Sequence, residues 1–261
     1  MPELVTLITD FGLKDSYVGA MKGVLKTLAP DLEVIDISHE IPSQDVAAAA
    51  WVLNGAYPYF PDHTVHVVVV DPGVGTDRKG VAVDTNQGSF IGPDNGVFSG
   101  ILSTHKGAKI VALENPKLMR EKVSSTFHGR DIFAPAAAHL CLGTPLGDFG
   151  EGVADPVILE MWEVEEGQNE LVGHVVHVDR FGNSLTNLSR DMLVKEGKEL
   201  SQIRTGDHRF SSIRKTYGDT PSGEAAVLLG SNDMLEIAVT GGDASSRLGI
   251  KRGDKVLVRW E

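Results

Sequence analysis

Cysteine is almost absent from this chain. Cys141 stands alone among 261 residues, so no internal disulfide can form and a reducing compartment is expected. It sits in the apolar, helix-like stretch from Ala136 to Leu142, which predicts a buried, inert thiol rather than a nucleophile. Long apolar runs are also missing: none approaches the roughly 18 residues that a membrane-spanning helix requires. The start, Met1-Pro2-Glu3-Leu4, has neither a basic segment nor an extended apolar stretch, which reads as no signal peptide and a cytoplasmic protein. Positive charge is scarce. The 24 Lys and Arg face 36 Asp and Glu, a formal net charge of −12, which argues against nucleic-acid binding through a broad basic face. An acidic surface is compatible with a cationic small substrate, although acidity by itself speaks mainly of solubility. No internal repeat or low-complexity tract is present.

What is there is the pattern of an ordinary soluble globule, 41% hydrophobic and 23% charged, long enough for one large domain or two modest ones. The first 150 or so residues alternate between strand and helix signals. Leu4 to Thr9 reads as a strand ending at Asp10, and Asp15 or Ser16 is placed to cap the helix marked by Val18, Met21, Val24, Leu25 and Leu28, which closes at Pro30. Glu33 to Ile37 is a second strand, and residues 43–55 form an alanine-rich helix. The valine-rich stretch from Val65 to Val70 is a strand buried on both faces. Gly80 to Asp84 and Ser89 to Ile91 are short strands around an Asn86-Gln87-Gly88 turn, and Val97 to Ser103 and Phe133 to Leu142 are helical. This predicts an α/β N-terminal domain with a mostly parallel central sheet. From Gly147 to Gly167 the texture changes, with four glycines, Pro156 and six acidic residues from Glu151 to Glu166. Beyond it strand signals dominate, at Leu171 to Val178, Ala225 to Leu229, Leu235 to Val239 and Lys255 to Trp260. The expected organisation is an α/β domain over 1–155, a linker over 156–168 and a smaller all-β, barrel-like domain over 169–261.

Polar clusters interrupt this pattern at strand ends. Asp10 ends the first strand, where it either points into a cleft or merely caps the next helix. Asp71 stops the valine strand dead and is followed by Pro72-Gly73-Val74-Gly75-Thr76-Asp77-Arg78; strand ends of an open α/β sheet are where ligands sit. Read alone, Asp71 and Arg78 fit a loop salt bridge as well as an active site. A phosphate loop is excluded, because Val81-Ala82 follow Gly80 where Lys-Ser/Thr is required, and Arg78 occupies the place of the third glycine of a dinucleotide fingerprint. In Ser124 to Asp131, His128 is either an acid/base or water-orienting group or an exposed loop histidine beside a helix start capped by Asp131. The pairs His63/His66 and His174/His177 lie in strand-like stretches, where residues three apart face opposite sides, so no shared metal is expected. Asp179, Phe181 and Asn183 offer a carboxylate, an aromatic face and an amide at the end of a strand, which suits an aminoacyl group or a flat base and equally an ordinary hairpin turn. Ser231 lies in Gly230-Ser231-Asn232-Asp233, which reads as a plain turn.

Taken together, Ile8-Thr9-Asp10-Phe11-Gly12 with Asp15, Asp71-Pro72-Gly73-Val74-Gly75-Thr76 with Arg78, Gly92-Pro93-Asp94-Asn95-Gly96, Thr126-Phe127-His128-Gly129-Arg130-Asp131 and Asp179-Arg180-Phe181-Gly182-Asn183 resemble one family, in order, over nearly the whole chain. It is the S-adenosylmethionine hydroxide adenosyltransferases, relatives of the fluorinase and chlorinase enzymes. The resemblance implies hydrolysis of S-adenosyl-L-methionine to adenosine and L-methionine, with no cofactor and no metal. It implies a homotrimer whose sites lie between one subunit's N-domain and its neighbour's C-domain. By similarity, Asp71, Arg78 and His128 form the catalytic set, Asp10 holds the ribose hydroxyls, and Asp15 and Asp179 meet the methionine part with Ser231 nearby. Phe127, Phe181 and Tyr217 would flank the nucleoside and Asn183 would bond the adenine edge. The halogenases carry a tyrosine where Asp71 stands, no histidine at the His128 match, and an insertion near Asn86 to Ser89; all three differences point to water as the nucleophile. Gln44 stands where the fluorinase has a tryptophan. The competing expectations are a halide-using, chlorinase-like adenosyltransferase, a non-catalytic adenosine-binding protein and a metal-dependent hydrolase. Nucleic-acid and membrane partners are not expected.

Overall fold

Two compact units, Met1–Ile158 and Leu159–Glu261, make up the chain. The structure is a computed structural model describing residues 4–194 and 197–261. Met1 to Glu3, on which most of the reading of the N-terminus falls, lie outside the described residues. The first unit contains β1 (Leu4–Thr9), α1 (Tyr17–Leu28), β2 (Glu33–Ser38), α2 (Val46–Ala56), β3 (Thr64–Val69), β4 (Gly80–Asp84), β5 (Gly88–Pro93), α3 (Ser99–Thr104), β6 (Lys109–Ala112) and α4 (Ala134–Cys141). Its strands form one sheet in the order β2-β1-β3-β5-β4-β6. The strands from β2 to β5 run parallel, and only β4 runs against its neighbours, so the sheet is mostly parallel as expected.

Valine and isoleucine decide the centre of this sheet. Every residue of β3 and β5 is buried, because both faces are covered. On one face, Met21 and Leu25 of α1 and Ala134, Ala137 and Cys141 of α4 pack over Val5, Leu7, Val67 and Val69. Cys141 is 5% exposed, and burial pushes its thiol up to about 12, the inert state its apolar setting predicts. From β1 the chain crosses outward to β2 and then returns past β1 to β3. The connections therefore diverge at the β1–β3 boundary, the kind of switch point that opens a crevice beyond the strand ends.

The second unit contains β7 (Glu165–Glu166), β8 (Glu170–Val178), β9 (Ser184–Ser189), the short α5 (Arg190–Leu193), β10 (Leu200–Thr205), β11 (His208–Phe210), β12 (Ala225–Leu229), β13 (Met234–Val239), α6 (Ala244–Leu248) and β14 (Lys255–Trp260). Its strands follow the order β11-β10-β14-β8-β9-β13-β12, with β7 beside β8 and every strand pairing antiparallel, a nearly closed, barrel-like sheet. Leu171, Val175, Leu188, Ile203, Val227, Ile237 and Val256 fill its interior. Gly173 lets β8 approach β9: a Cβ there would lie 2.6 Å from the Leu188 side chain.

Several local expectations are corrected. Neither Asp15 nor Ser16 caps α1: Ser16 occupies the cap position in a helical conformation and makes no side-chain cap hydrogen bond. The alanine-rich helix begins only at Val46, where the Asp45 carboxylate accepts the Ala48 N–H at 2.9 Å. The helix expected from Val97 starts at Ser99. Strand β9 escaped detection because four of the six residues in its Ser-Leu-Thr-Asn-Leu-Ser sequence are polar. It is nevertheless buried, since the Thr186 hydroxyl donates to the Leu235 carbonyl at 2.8 Å and the Asn187 amide donates to the Glu163 carbonyl at 2.9 Å. No helix among the described residues is long and apolar enough to cross a membrane.

Candidate active site

Register brings the first two candidate carboxylates together. β1 and β3 are parallel neighbours with Thr9 opposite Val69, so Asp10 and Asp71 leave adjacent strand ends at the crevice. There a cleft of about 500 Å³ is lined by Asp10, Phe11, Tyr17, Asp71, Phe127 and His128, among others. Asp71 and Arg78 are joined across their loop by two parallel bonds: Arg78 Nε donates to Asp71 Oδ1 at 3.1 Å and Nη2 donates to Oδ2. The loop folds back because the Val74 N–H reaches the Asp71 carbonyl at 3.3 Å and the Thr76 N–H reaches the Gly73 carbonyl at 3.2 Å. Gly75 has φ +78° and rests against the Ser125 backbone, a place no Cβ can occupy, so this loop seats directly on the segment that carries His128. Arg78 also stacks over the Phe133 ring, 5.5 Å from its centroid.

The same guanidinium reaches His128. Arg78 Nη2 lies 3.0 Å from His128 Nδ1. A guanidinium only donates, so Nδ1 accepts, and the imidazole carries its proton on Nε2. Burial and the adjacent Arg78 charge both hold the His128 pKa below its ordinary value, which keeps the ring neutral. Asp71 moves the other way. Burial raises its carboxyl above the usual value by more than Arg78, His128 and the Gly73 N–H pull it back. The side chains of Asp71 and Arg78 are only 6% and 8% exposed. The result is an anionic carboxylate more basic than a free one, a fixed counter-charge and a neutral N–H donor.

Asp131 does not cap a helix, which removes that alternative. It lies inside the single π turn Gly129–Phe133 that leads into α4, fully buried. Its carboxylate accepts from Arg130 at 2.7 and 2.8 Å, from Arg120 at 3.2 Å and from the Ser124 N–H at 2.9 Å. Burial alone would raise its pKa, but Arg130, the Ser124 N–H and Arg120 carry it below the carboxylate range. Asp131 thereby ties down both ends of the segment bearing Phe127 and His128. Phe127 meets Phe11 and Tyr17 edge-on, at 5.8 and 5.3 Å between centroids, while the Arg130 guanidinium lies 4.9 Å from its ring centroid.

Asp10 accepts the Gln44 N–H on Oδ2 at 2.8 Å; Gln44 takes φ +63° to deliver it. Asp15 is exposed on the loop before α1 and does not line the cleft. The second unit holds the remaining candidates. Asp179 closes its own turn, Oδ1 accepting the Phe181 and Asn183 N–H groups at 2.8 and 2.9 Å and Oδ2 accepting the Asn183 side-chain amide at 3.0 Å. This fixes the loop and leaves Phe181 76% exposed at its tip. Tyr217, 44% exposed, donates its hydroxyl to Glu236 Oε1 at 2.5 Å. Ser231 is exposed in the turn before β13.

Sequence reasoning missed Glu236, Tyr17 and the backbone role of Gln44. Glu236 is 4% exposed within Met234–Val239, and a carboxylate flanked by Leu235 and Ile237 in an apolar strand was the available signal. Tyr17 is an exposed aromatic off the core stripe of α1. For Gln44 no side-chain pattern carries the information, because its backbone does the work.

Models of the SAM hydroxide adenosyltransferase N-terminal and C-terminal domains match residues 5–150 and 173–257. The chain belongs to this family. It is 39% identical over 258 residues to the (R)-S-adenosyl-L-methionine hydrolase of Thermus thermophilus, covering 95% of this chain and 96% of that protein. The crystal structure of an uncharacterized conserved protein from Thermotoga maritima is similar with a TM-score of 0.84 at 40% identity, over 98% of this chain and 99% of that one. The fluorinase of Nocardia brasiliensis is more distant, 26% identical over 289 residues and 98% of this chain. Family membership agrees with the resemblance carried by the five motifs.

Proposed function

We propose that the protein hydrolyses S-adenosyl-L-methionine to adenosine and L-methionine. Water attacks the ribose C5′ in line with the departing sulfur, the C5′–S bond breaks, and its electron pair leaves with methionine as a neutral thioether. The positively charged sulfonium is already a good leaving group, so no general acid is needed. Water is the weak partner, with a pKa of about 15.7. The observation that carries the reading is the Asp71–Arg78–His128 set at the end of β3, in a member of this family. Asp71 takes the proton of the attacking water, a task its raised pKa favours. Arg78 holds that carboxylate in place, and the Nε2–H of His128 orients the oxygen. General-base assistance of this kind is worth about 10²–10⁴-fold. Asp10 meets the ribose hydroxyls, and Phe127 lies against the nucleoside. Asp179 and Ser231 meet the methionine part, with Asp15 reaching it only from its exposed loop outside the cleft lining; Phe181 and Tyr217 flank the nucleoside, and Asn183 bonds the adenine edge.

The sulfonium sulfur is stereogenic, and the name of the Thermus relative specifies the (R) form. The (R) diastereomer is the substrate we assign here. The exposure of Phe181 and Tyr217 supports a homotrimer in which each second unit covers a neighbour's cleft. The lone buried thiol of Cys141 supports a cytoplasmic setting.

Turnover of the resolved (R) and (S) substrates in ¹⁸O-water tests the reaction. Label in the 5′-hydroxyl of adenosine is expected with the (R) form, and unlabelled adenosine or no turnover overturns it. Adding chloride is expected to yield no 5′-chloro-5′-deoxyadenosine, because the Asp71 carboxylate already neutralises Arg78 and repels a halide.

A further inference from the structure

Strand β1 carries two threonines, Thr6 and Thr9, both fully buried, and each bonds a buried histidine through its hydroxyl. Thr6 Oγ1 lies 2.7 Å from His66 Nδ1 and Thr9 Oγ1 lies 2.8 Å from His39 Nδ1. The two pairs end differently. His66 stacks on Phe90 with centroids 5.1 Å apart, and its Nε2 has no hydrogen-bond partner. That pair stops in the core. His39 Nε2 makes no hydrogen bond either, but it lies 3.1 Å from Asp36 Oδ1, and Lys22 Nζ donates to Asp36 Oδ2 at 2.6 Å, so the second pair faces a charged group at the surface.

The second pair also reaches the cleft. Thr9 Oγ1 accepts the Phe11 N–H at 3.2 Å, and the His39 carbonyl accepts the Gly12 N–H at 2.8 Å. Both backbone donors that follow Asp10 are thereby fixed by Thr9 and His39. Thr9 Oγ1 has two lone pairs, so it accepts the Phe11 N–H and still holds His39 Nδ1 at 2.8 Å. Neither His39 nor Thr9 lines the cleft; Asp10 and Phe11 do.

We infer that His39 is a positioning residue for the substrate cleft: through the Thr9 hydroxyl and its own carbonyl it holds the Asp10–Phe11–Gly12 turn and sets where Asp10 and the Phe11 ring meet the nucleoside. Lys22 and Asp36 brace the ring from outside. The inference rests on the proposed role of Asp10 at the ribose.

The test measures kcat and KM for the substrate and the Kd of adenosine by calorimetry. It uses the full-length protein, His39→Ala, Asp10→Ala, the double variant, and His66→Ala as a matched buried-histidine control. His39→Ala is expected to raise KM and Kd about tenfold with kcat nearly kept, the pattern of lost ground-state binding. In the Asp10→Ala background the same substitution should add little, because the two act as one unit. His39→Gln should recover part of the loss by restoring a side-chain hydrogen bond to Thr9. His66→Ala should lower the melting temperature with KM unchanged. Should His39→Ala fail to fold, Asp36→Ala at its partly exposed site carries the same test, with KM raised and kcat kept. Unaltered KM and Kd in the histidine variant overturn the inference, as does full additivity with Asp10→Ala or an equal KM rise in His66→Ala. A wild-type protein that neither turns over the substrate nor binds adenosine overturns the reading of the cleft and this inference with it.

Discussion

The cleft of the first unit and the loop cluster of the second bury carboxylates in opposite ways. In the first, each deeply buried acid has its counter-charge: Asp71 has Arg78, and Asp131 has Arg130 and Arg120. In the second, Glu236 is held by a neutral phenol, and burial, with Asp179 adding to it, pushes its carboxyl above the usual range despite that bond. Tyr217 is driven upward as well, by burial and then by Glu236 and Asp179, so it stays a donor. A paired ion is already solvated by protein and needs no ligand to complete it. An acid held by a neutral donor gains when a cation arrives. The first region thus holds its buried acids as ion pairs, the second as an acid bonded to a neutral phenol.

Four changes break or sharpen this contrast, from the largest expected effect to the smallest. Asp71→Asn keeps shape but removes both the base and the charge that Arg78 answers; kcat should fall by about 10²–10⁴-fold. Substrate binding should be largely kept, which single-turnover kinetics and calorimetry would establish; an unchanged rate removes Asp71 from its role. Asp131→Ala strips the acceptor from two arginines and from the Ser124 N–H. A stability loss of about 3 kcal/mol is expected in urea unfolding, at the low end for a broken buried pair because both arginines reach water.

The third change is acid. Burial lowers His66 from its ordinary 6.5 to about 4. Below about pH 6.5 the unfolded chain takes a proton that the native state refuses until about pH 4. Stability is therefore level above that window and falls through it as pH drops, by on the order of 3 kcal/mol from this group. His66→Leu should flatten that part of the profile when denaturation midpoints are compared between pH 7.5 and 4.5. A profile identical to wild type counts against it. The smallest effect belongs to Tyr217→Phe, which leaves Glu236 without its donor. A cost of about 1–3 kcal/mol is expected in the melting of the second unit. The ring itself remains, so KM should change less than in Tyr217→Ala.

Much of the fold was legible because it depends on local pattern. The valine run of β3, the helix stripe of α1 and the alternation of elements all follow from which side chains tolerate water. Strand β9 was not legible, because its Thr186 and Asn187 are polar and their burial depends on the carbonyls of Leu235 and Glu163, far away in the sequence. The site divided in the same way. Asp71, Arg78 and His128 stand out as charged or titratable groups at strand ends and turns. Asp131 offered only the alternative of a helix cap, because nothing local announces that Arg120 and Ser124 close on it. Glu236 was visible only as an acid in an apolar strand.

The sequence by itself determined that two differently built halves exist, that one carries a carboxylate at the end of a buried strand, and which family the motifs resemble. Those properties are one-dimensional: hydrophobic period, turn chemistry and motif order. Only the tertiary structure decided that Arg78 spans Asp71 and His128 at once, since residues 50 apart must meet before one guanidinium can hold both. That contact sets the proton on His128 Nε2. Burial, which no single residue possesses alone, makes Asp71 the stronger base.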